Sequence, residues 1–374
     1  MRIPTNDGAR RRRRLVSAVS LATALALTAA ACGSDDDAGT DDDGASASTE
    51  ASDDAPAASD GGDAAASGDL SITFIPKQLN NPYTDVVLGG GQTGAEEAGF
   101  AAVNVVGPLD ASASSQVSFI NAETQAGTDV IVIAANDPDA VGPALEEARA
   151  GGANIVAFDS DTNPDFRDVF ISQVVAKDVA LIQLELISEQ IGGAGQVAIL
   201  SATANATNQN EWIKFMEEEL ASNPDYADIE LVATVYGDDD DTKSFQEAQG
   251  LMQAYPDLKG IISPTTVGIA ATGRYLSTSE YKGQVALTGL GLPNEMRPFV
   301  KDGTVEAFAL WDPAQLGYVA AYAGLALAND EMTGAVGDTF TAGEMGERTV
   351  EEGGIVIVGP PTVFDAENID DYDF

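Results

Sequence analysis

Asp159 and Asp161 stand two positions apart at the end of the apolar run "NIVAF". Two carboxylates about 5–9.5 Å apart are the machinery of glycoside hydrolysis. At a strand end this pair is not expected to converge: one carboxylate faces a ligand and the other caps the following turn. Other chemistry-bearing residues gather in similar places. Polar stretches follow apolar runs at "PKQLNNPY" (76–83), "NDPD" (136–139), "DSDTNPD" (159–165), "TANATNQN" (203–210), "GDDDDTK" (237–243), "SPTTVG" (263–268) and "GLGLPNE" (289–295). Asn, Asp, Thr and Pro also start helices, so capping is the plain reading of any one of them. Seven polar strand ends facing one direction are harder to explain that way.

Together these ends hold a carboxylate, a lysine, amides and hydroxyls, with aromatic rings at Tyr83 and Trp311. The set suits a neutral polyol. A sugar hydroxyl donates and accepts, so Asp accepts from it, Lys donates to it, and Asn or Gln do both. Tyr83 and Trp311 either cover the apolar face of a sugar ring or pack in a core. Trp212, one turn into its helix, reads as core. "GDDDDTK" reads as a solvated acidic turn, because it lacks the spaced ligands and terminal Glu of a calcium loop. "GGGQTG" (89–94) lies inside a helical run and lacks the lysine of a phosphate loop, so it reads as close helix packing.

Composition narrows the chemistry further. The 374 residues include 60 acidic and 18 basic side chains, no histidine and one cysteine, for a formal net charge of -42. Nucleic acid is excluded as a partner, because phosphate binding needs clustered Lys and Arg. Without His, Ser-His-Asp and Cys-His catalysis are excluded. A lone Cys builds neither an internal disulfide nor a zinc site. No metal, cofactor or enzymatic activity is expected.

The strand ends belong to a regular alternation. Candidate strands are 70–75, 101–107, 129–135, 154–159 and 168–171, then 196–202, 229–236, 260–265, 284–290 and 305–311. Helical runs such as 138–150 and 178–191 lie between most of them. Apolar runs without alternation are strands buried on both faces, and strand-helix alternation means parallel sheets. Two series of five predict two α/β lobes. In open parallel sheets the ligand sits beyond the carboxyl ends of the strands, where the polar stretches are.

The N-terminus reads as an export signal. Arg10–Arg14 is a basic block, 15–31 is uncharged and rich in Ala and Leu, and small residues precede Cys32. This order resembles a bacterial lipobox, with Ala29 where Leu is usual, and implies that Cys32 becomes the lipidated first residue after removal of 1–31. Residues 32–69 form a tether of Ala, Ser, Gly, Thr and Asp that buries too little apolar surface to fold. Such a chain spans on the order of 35 Å, from about 5–6 Å × √n. The folded body then begins near Leu70, held on the outer face of a cell membrane.

"NNPY" after the first strand, "FDSDT" after the fourth and "WDPAQLGY" (311–318) resemble the type I periplasmic sugar-binding proteins of ABC importers. "LSATANATNQNEWI" (200–213), "EAQGLMQAYPDLKGIISPTTVGI" (247–269), "TGLGLPNEM" (288–296) and "FDAENID" (364–370) resemble the rhamnose-binding branch. Autoinducer-2-binding proteins look similar along the same length. The resemblance implies an α/β fold of two Rossmann-like lobes joined by a hinge crossed three times, closing on a ligand. It implies a first lobe of 70–172 plus 312–348 and a second of 173–311 plus 349–374. The implied contacts are Lys77, Asn81, Tyr83 and Asp159 from the first lobe. Asn208, Gln209, Pro264 and Thr266 come from the second, with Trp311 near the hinge. It implies a monomer that passes rhamnose, or another pentose or hexose, to ABC permease subunits, or that reports a sugar to a membrane receptor. Autoinducer-2 binders have Asp where this chain has Asn208, and ribose-type binders have Asp where Gly291 stands. Both departures favour the rhamnose branch.

Overall fold

A computed structural model describes residues 69–374. The leader, Cys32 and all but the last residue of the tether lie outside the described residues. Among the described residues, no helix is long and apolar enough to cross a membrane.

The first lobe opens with β1 (Ser71–Ile75), α1 (Pro82–Ala98), β2 (Ala102–Val105), α2 (Ala113–Ala126), β3 (Val130–Ile133), α3 (Gly142–Ala150), β4 (Asn154–Phe158) and β5 (Val169–Ser172). The second follows as α4 (Ala176–Ile191), β6 (Gly195–Ser201), α5 (Thr207–Ser222), β7 (Ile229–Tyr236), α6 (Asp241–Ala254), β8 (Leu258–Ser263), α7 (Thr266–Thr278), β9 (Ala286–Gly289), α8 (Pro293–Lys301) and β10 (Ala307–Leu310). The chain then returns through α9 (Pro313–Ala328), β11 (Thr339–Thr341), β12 (Glu347–Thr349) and β13 (Ile355–Ile357), and closes with β14 (Thr362–Asp365).

The first sheet is parallel throughout, in the order β13-β5-β4-β3-β1-β2. Its strands are apolar on both faces because helices cover both. Ile72, Phe74, Val132, Val156 and Phe158 pack toward α1 and α9. Their neighbours Ile131, Ile133 and Ile155 pack with Ile120 and Leu145 of α2 and α3. The second sheet is parallel in the order β7-β6-β8-β9. Both sheets therefore present strand carboxyl ends, and the loops that leave them, to a cleft between the lobes.

The glycine-rich run does what its helical setting implied. A Cβ on Gly90 would lie 1.9 Å from the carbonyl oxygen of Ala314, and one on Gly317 would lie 2.0 Å from that of Val87. Side chains at either place would push α1 and α9 apart.

Two expectations change. The fifth strand of the second series does not continue the parallel sheet by a full ladder. β10 touches it through one parallel bridge, Leu290 to Ala309, and pairs antiparallel with β14. The third hinge crossing is not at 348–349 but at 359–361. Residues 350–358 stay with the first lobe, where Val350, Val356 and Val358 are buried in its core. The chain leaves at Pro360 and Pro361, which have no N–H to extend a ladder. Phe364 then stacks on Phe308 in the second lobe at 5.2 Å between ring centres. The other crossings are at 173–175 and 311–312. Two backbone bonds tie the first to the third: Val358 N donates to Ser172 O (2.9 Å) and Gly359 N to Gln173 O (3.1 Å).

Asp161 belongs to this framework rather than to a simple turn cap. Its carboxylate accepts two bonds from the Arg167 guanidinium, at 2.6 and 2.8 Å. Arg167 also donates to the carbonyls of Gly353 and Gly354, both at 3.1 Å, and so holds the approach to β13. The Arg167 side chain is 3% exposed. Removing one member of a buried pair strands the other charge, at about 3–5 kcal/mol. Arg167→Ala is therefore expected to lower unfolding free energy by about that amount in urea titrations at pH 7. A loss under about 1 kcal/mol would show that the pair does not anchor β13.

Candidate ligand-binding cleft

The loops leaving β1, β4, β6, β7 and β8 meet in a cleft of about 630 Å³, counting its open mouth. Its centre is Asp159, which follows β4 in the left-handed backbone region (φ 58°). That turn breaks the pleat, which is why Asp159 and Asp161 part company. Asp159 is 4% exposed and three donors converge on it. Lys77 Nζ lies 3.0 Å from Oδ2. Tyr83 Oη donates to Oδ1 at 3.0 Å. Asn208 Nδ2, from the other lobe, reaches Oδ2 at 3.5 Å. Trp311 Nε1 donates in turn to Tyr83 Oη at 3.0 Å. The Trp311 ring meets Tyr83 and Trp212 edge-on, at 6.2 and 5.9 Å between centres.

Every residue expected at the site borders this cleft. Lys77, Asn81, Tyr83, Asp159, Asn208, Gln209, Pro264, Thr266 and Trp311 all line it. Two of them spend part of their polarity on scaffolding. Asn81 caps α1, its Oδ1 accepting from Tyr83 N (3.0 Å) and Thr84 N (3.3 Å). Gln209 Oε1 accepts from Ser201 Oγ (2.6 Å) and Ala202 N (2.8 Å), which fixes the loop after β6. Asn208 Oδ1 accepts from Gln209 N at 2.9 Å, leaving its amide aimed at Asp159.

Trp212 and Asp239 also line the cleft. Trp212 is buried core, as its place in the helix implied, and its ring is cleft wall as well. Asp239 corrects the reading of "GDDDDTK" as a wholly solvated turn. It accepts a hydrogen bond from Thr265 Oγ1, and its carbonyl accepts from Gln78 Nε2 of the first lobe at 3.4 Å. It also brings a second carboxylate to the cleft, which no converging pair in the sequence indicated. The signal that could have found it was its place after a parallel strand; the four-acid run hid which member turned inward.

Burial shifts the protonation of these groups. Burial drives the Tyr83 phenol well above its ordinary value of 10.0, and the negative charge of Asp159 adds to it. Burial works against the Lys77 ammonium, but Asp159 and Asp239 outweigh it and Lys77 titrates above 10.5. The Asp239 carboxyl is raised by burial, with Lys77 and Thr265 opposing.

A family model described as a periplasmic binding protein domain matches residues 72–332. The chain belongs to this family. A sugar ABC transporter structure from Actinomyces odontolyticus is 70% identical, covering 83% of this chain and 99% of its own, with a TM-score of 0.69. An ABC transporter solute-binding protein from Clostridium phytofermentas with bound L-rhamnose is 36% identical, with coverage of 81% and 98% and a TM-score of 0.78. LsrB from Clostridium saccharobutylicum in complex with AI-2 is 25% identical, with coverage of 82% and 100% and a TM-score of 0.77.

In this periplasmic binding protein Lys77 is the cation of the cleft, and its titration gives a test. Its folded-state value lies above the unfolded one. Its stabilisation is therefore fully present below the unfolded value and lost as pH rises through the folded value. The melting-temperature gap between wild type and Lys77→Met should stay flat from about pH 7 to 10 and shrink only above. A gap that closes by about pH 9 would mean that Lys77 is not held charged by the two carboxylates.

Proposed function

We propose that this protein captures a neutral monosaccharide between its lobes, L-rhamnose before others, and delivers it to an ABC permease from a lipid anchor on Cys32. The observation that carries this reading is the donor and acceptor set around Asp159. Lys77 and Asn208 offer N–H groups, Asp159 offers carboxylate oxygens, and Tyr83, Trp212 and Trp311 offer aromatic wall. A sugar hydroxyl can replace any of these polar partners, because it both donates and accepts.

Neutrality at 208 supports rhamnose over AI-2. An aspartate there would lose the amide that reaches Asp159 and would set a second carboxylate against it at about the same 3.5 Å. Gly291 supports rhamnose over ribose. A Cβ there would already lie 2.6 Å from Met296 Cγ, so an aspartate has no room without repacking. The L-rhamnose-bound protein from Clostridium phytofermentas, at 36% identity, adds to the case.

Binding is favoured over catalysis by how the carboxylates are held. Asp161 is committed to Arg167. Asp159 accepts from the Tyr83 hydroxyl and pairs with the Lys77 ammonium, which holds it as a hydrogen-bond acceptor.

Calorimetry on the purified protein should show L-rhamnose binding, and Asp159→Ala should lose about 1.5–3 kcal/mol of it, the worth of a hydrogen bond to a charged group. Binding of ribose or AI-2 with no response to L-rhamnose would overturn the assignment.

A further inference from the structure

Four acids stand in a row after β7, and three are spoken for. Asp238 pairs with Lys243 Nζ at 2.5 Å. Asp240 caps α6 by accepting from Lys243 N at 2.7 Å. Asp241 takes two bonds from Arg274, at 2.6 and 2.8 Å. Asp239 alone of the four lines the inner cleft with Lys77 and Asp159.

Its position mirrors that of Asp159 in the other lobe. Each follows the carboxyl end of a parallel strand, and each holds left-handed backbone, at φ 50° for Asp239 and 58° for Asp159. That region is uncommon for residues other than Gly, although Asp tolerates it better than most. Thr265, at the start of the next loop, fixes the carboxylate through its hydroxyl. A carboxylate has about four acceptor sites, so this bond leaves acceptor capacity facing the cleft.

Charge defines what can be accepted there. The charged side chains lining the inner cleft are Lys77, Asp159 and Asp239, two carboxylates against one ammonium. An anionic ligand would meet that excess where little water screens it. A hydroxyl donor would not.

Resting on the sugar reading above, we propose that Asp239 is the second lobe's carboxylate contact to the ligand. It accepts a hydroxyl on the side of a neutral polyol away from Asp159. The two acids then hold the sugar from opposite lobes, and closure brings the second of them into place.

The test is a cycle of protein and ligand variants in calorimetry. Wild type, Asp239→Asn and Asp238→Asn are titrated with L-rhamnose, other neutral monosaccharides, and the monodeoxy analogues of whichever binds best. Asp239→Asn should weaken the best sugar by about 10- to 100-fold, while Asp238→Asn matches wild type. For one monodeoxy analogue, wild type and Asp239→Asn should bind alike, because the hydroxyl that Asp239 accepts is gone. Should Asp239→Asn fail to melt cooperatively, Asp239→Ser provides the same cycle. Unchanged affinity in Asp239→Asn would overturn the contact. An equal loss for every analogue would also overturn it, leaving a purely structural role. A wild type that binds no neutral monosaccharide would instead overturn the sugar reading, and this inference with it.

Discussion

Asp159 is a carboxylate carried to a place with almost no water, and both lobes are arranged to satisfy it. An isolated buried charge is costly, so such a group needs an opposite charge and hydrogen bonds together. Lys77 supplies the charge, Tyr83 a hydroxyl donor and Asn208 an amide from across the cleft. Each donor is itself positioned. Tyr83 sits in the first turn of a helix capped by Asn81, and its oxygen is pinned by the Trp311 indole. Asn208 is steadied by its bond from Gln209 N, while Gln209 grips the end of β6.

The same interaction also crosses between the lobes. Only Asn208 of these three donors comes from the second lobe, so Asp159 is better satisfied when the lobes meet. Other bonds cross with it: Thr207 Oγ1 to Asp161 O at 3.3 Å, Asn205 Nδ2 to Asp137 Oδ2 at 3.2 Å, and Gln78 to Asp239 O. A sugar held between the lobes would replace some of these contacts with bonds to its own hydroxyls. Motion about three strands of chain at 173–175, 311–312 and 359–361 suits such closure.

Much of this was legible in the residues themselves. Unalternating runs such as "VIVI" announce strands covered on both faces, and Gly90 within an apolar helical run announces close packing. The parallel-sheet rule pointed to the cleft, because ligands gather where such strands end. What remained hidden depended on partners far away in sequence. Asp161 looks like Asp159 until Arg167 and the carbonyls of Gly353 and Gly354 are placed around it. Asp239 looks like its three neighbours until Lys243, Arg274 and Thr265 divide the run among themselves. The late return of 350–358 to the first lobe is equally non-local: β13 pairs with β5 across the sequence gap from Phe170 to Ile355, and Val350, Val356 and Val358 join that core.

A crystal structure of the protein grown with L-rhamnose would test the central claim most directly. One sugar is expected between the lobes, with a hydroxyl on Asp159, N–H contacts from Lys77 and Asn208, and its apolar face against Trp311 or Tyr83. A sugar bound elsewhere, or a closed cleft in which Asp159 keeps all three of its protein partners and touches no ligand, would contradict it.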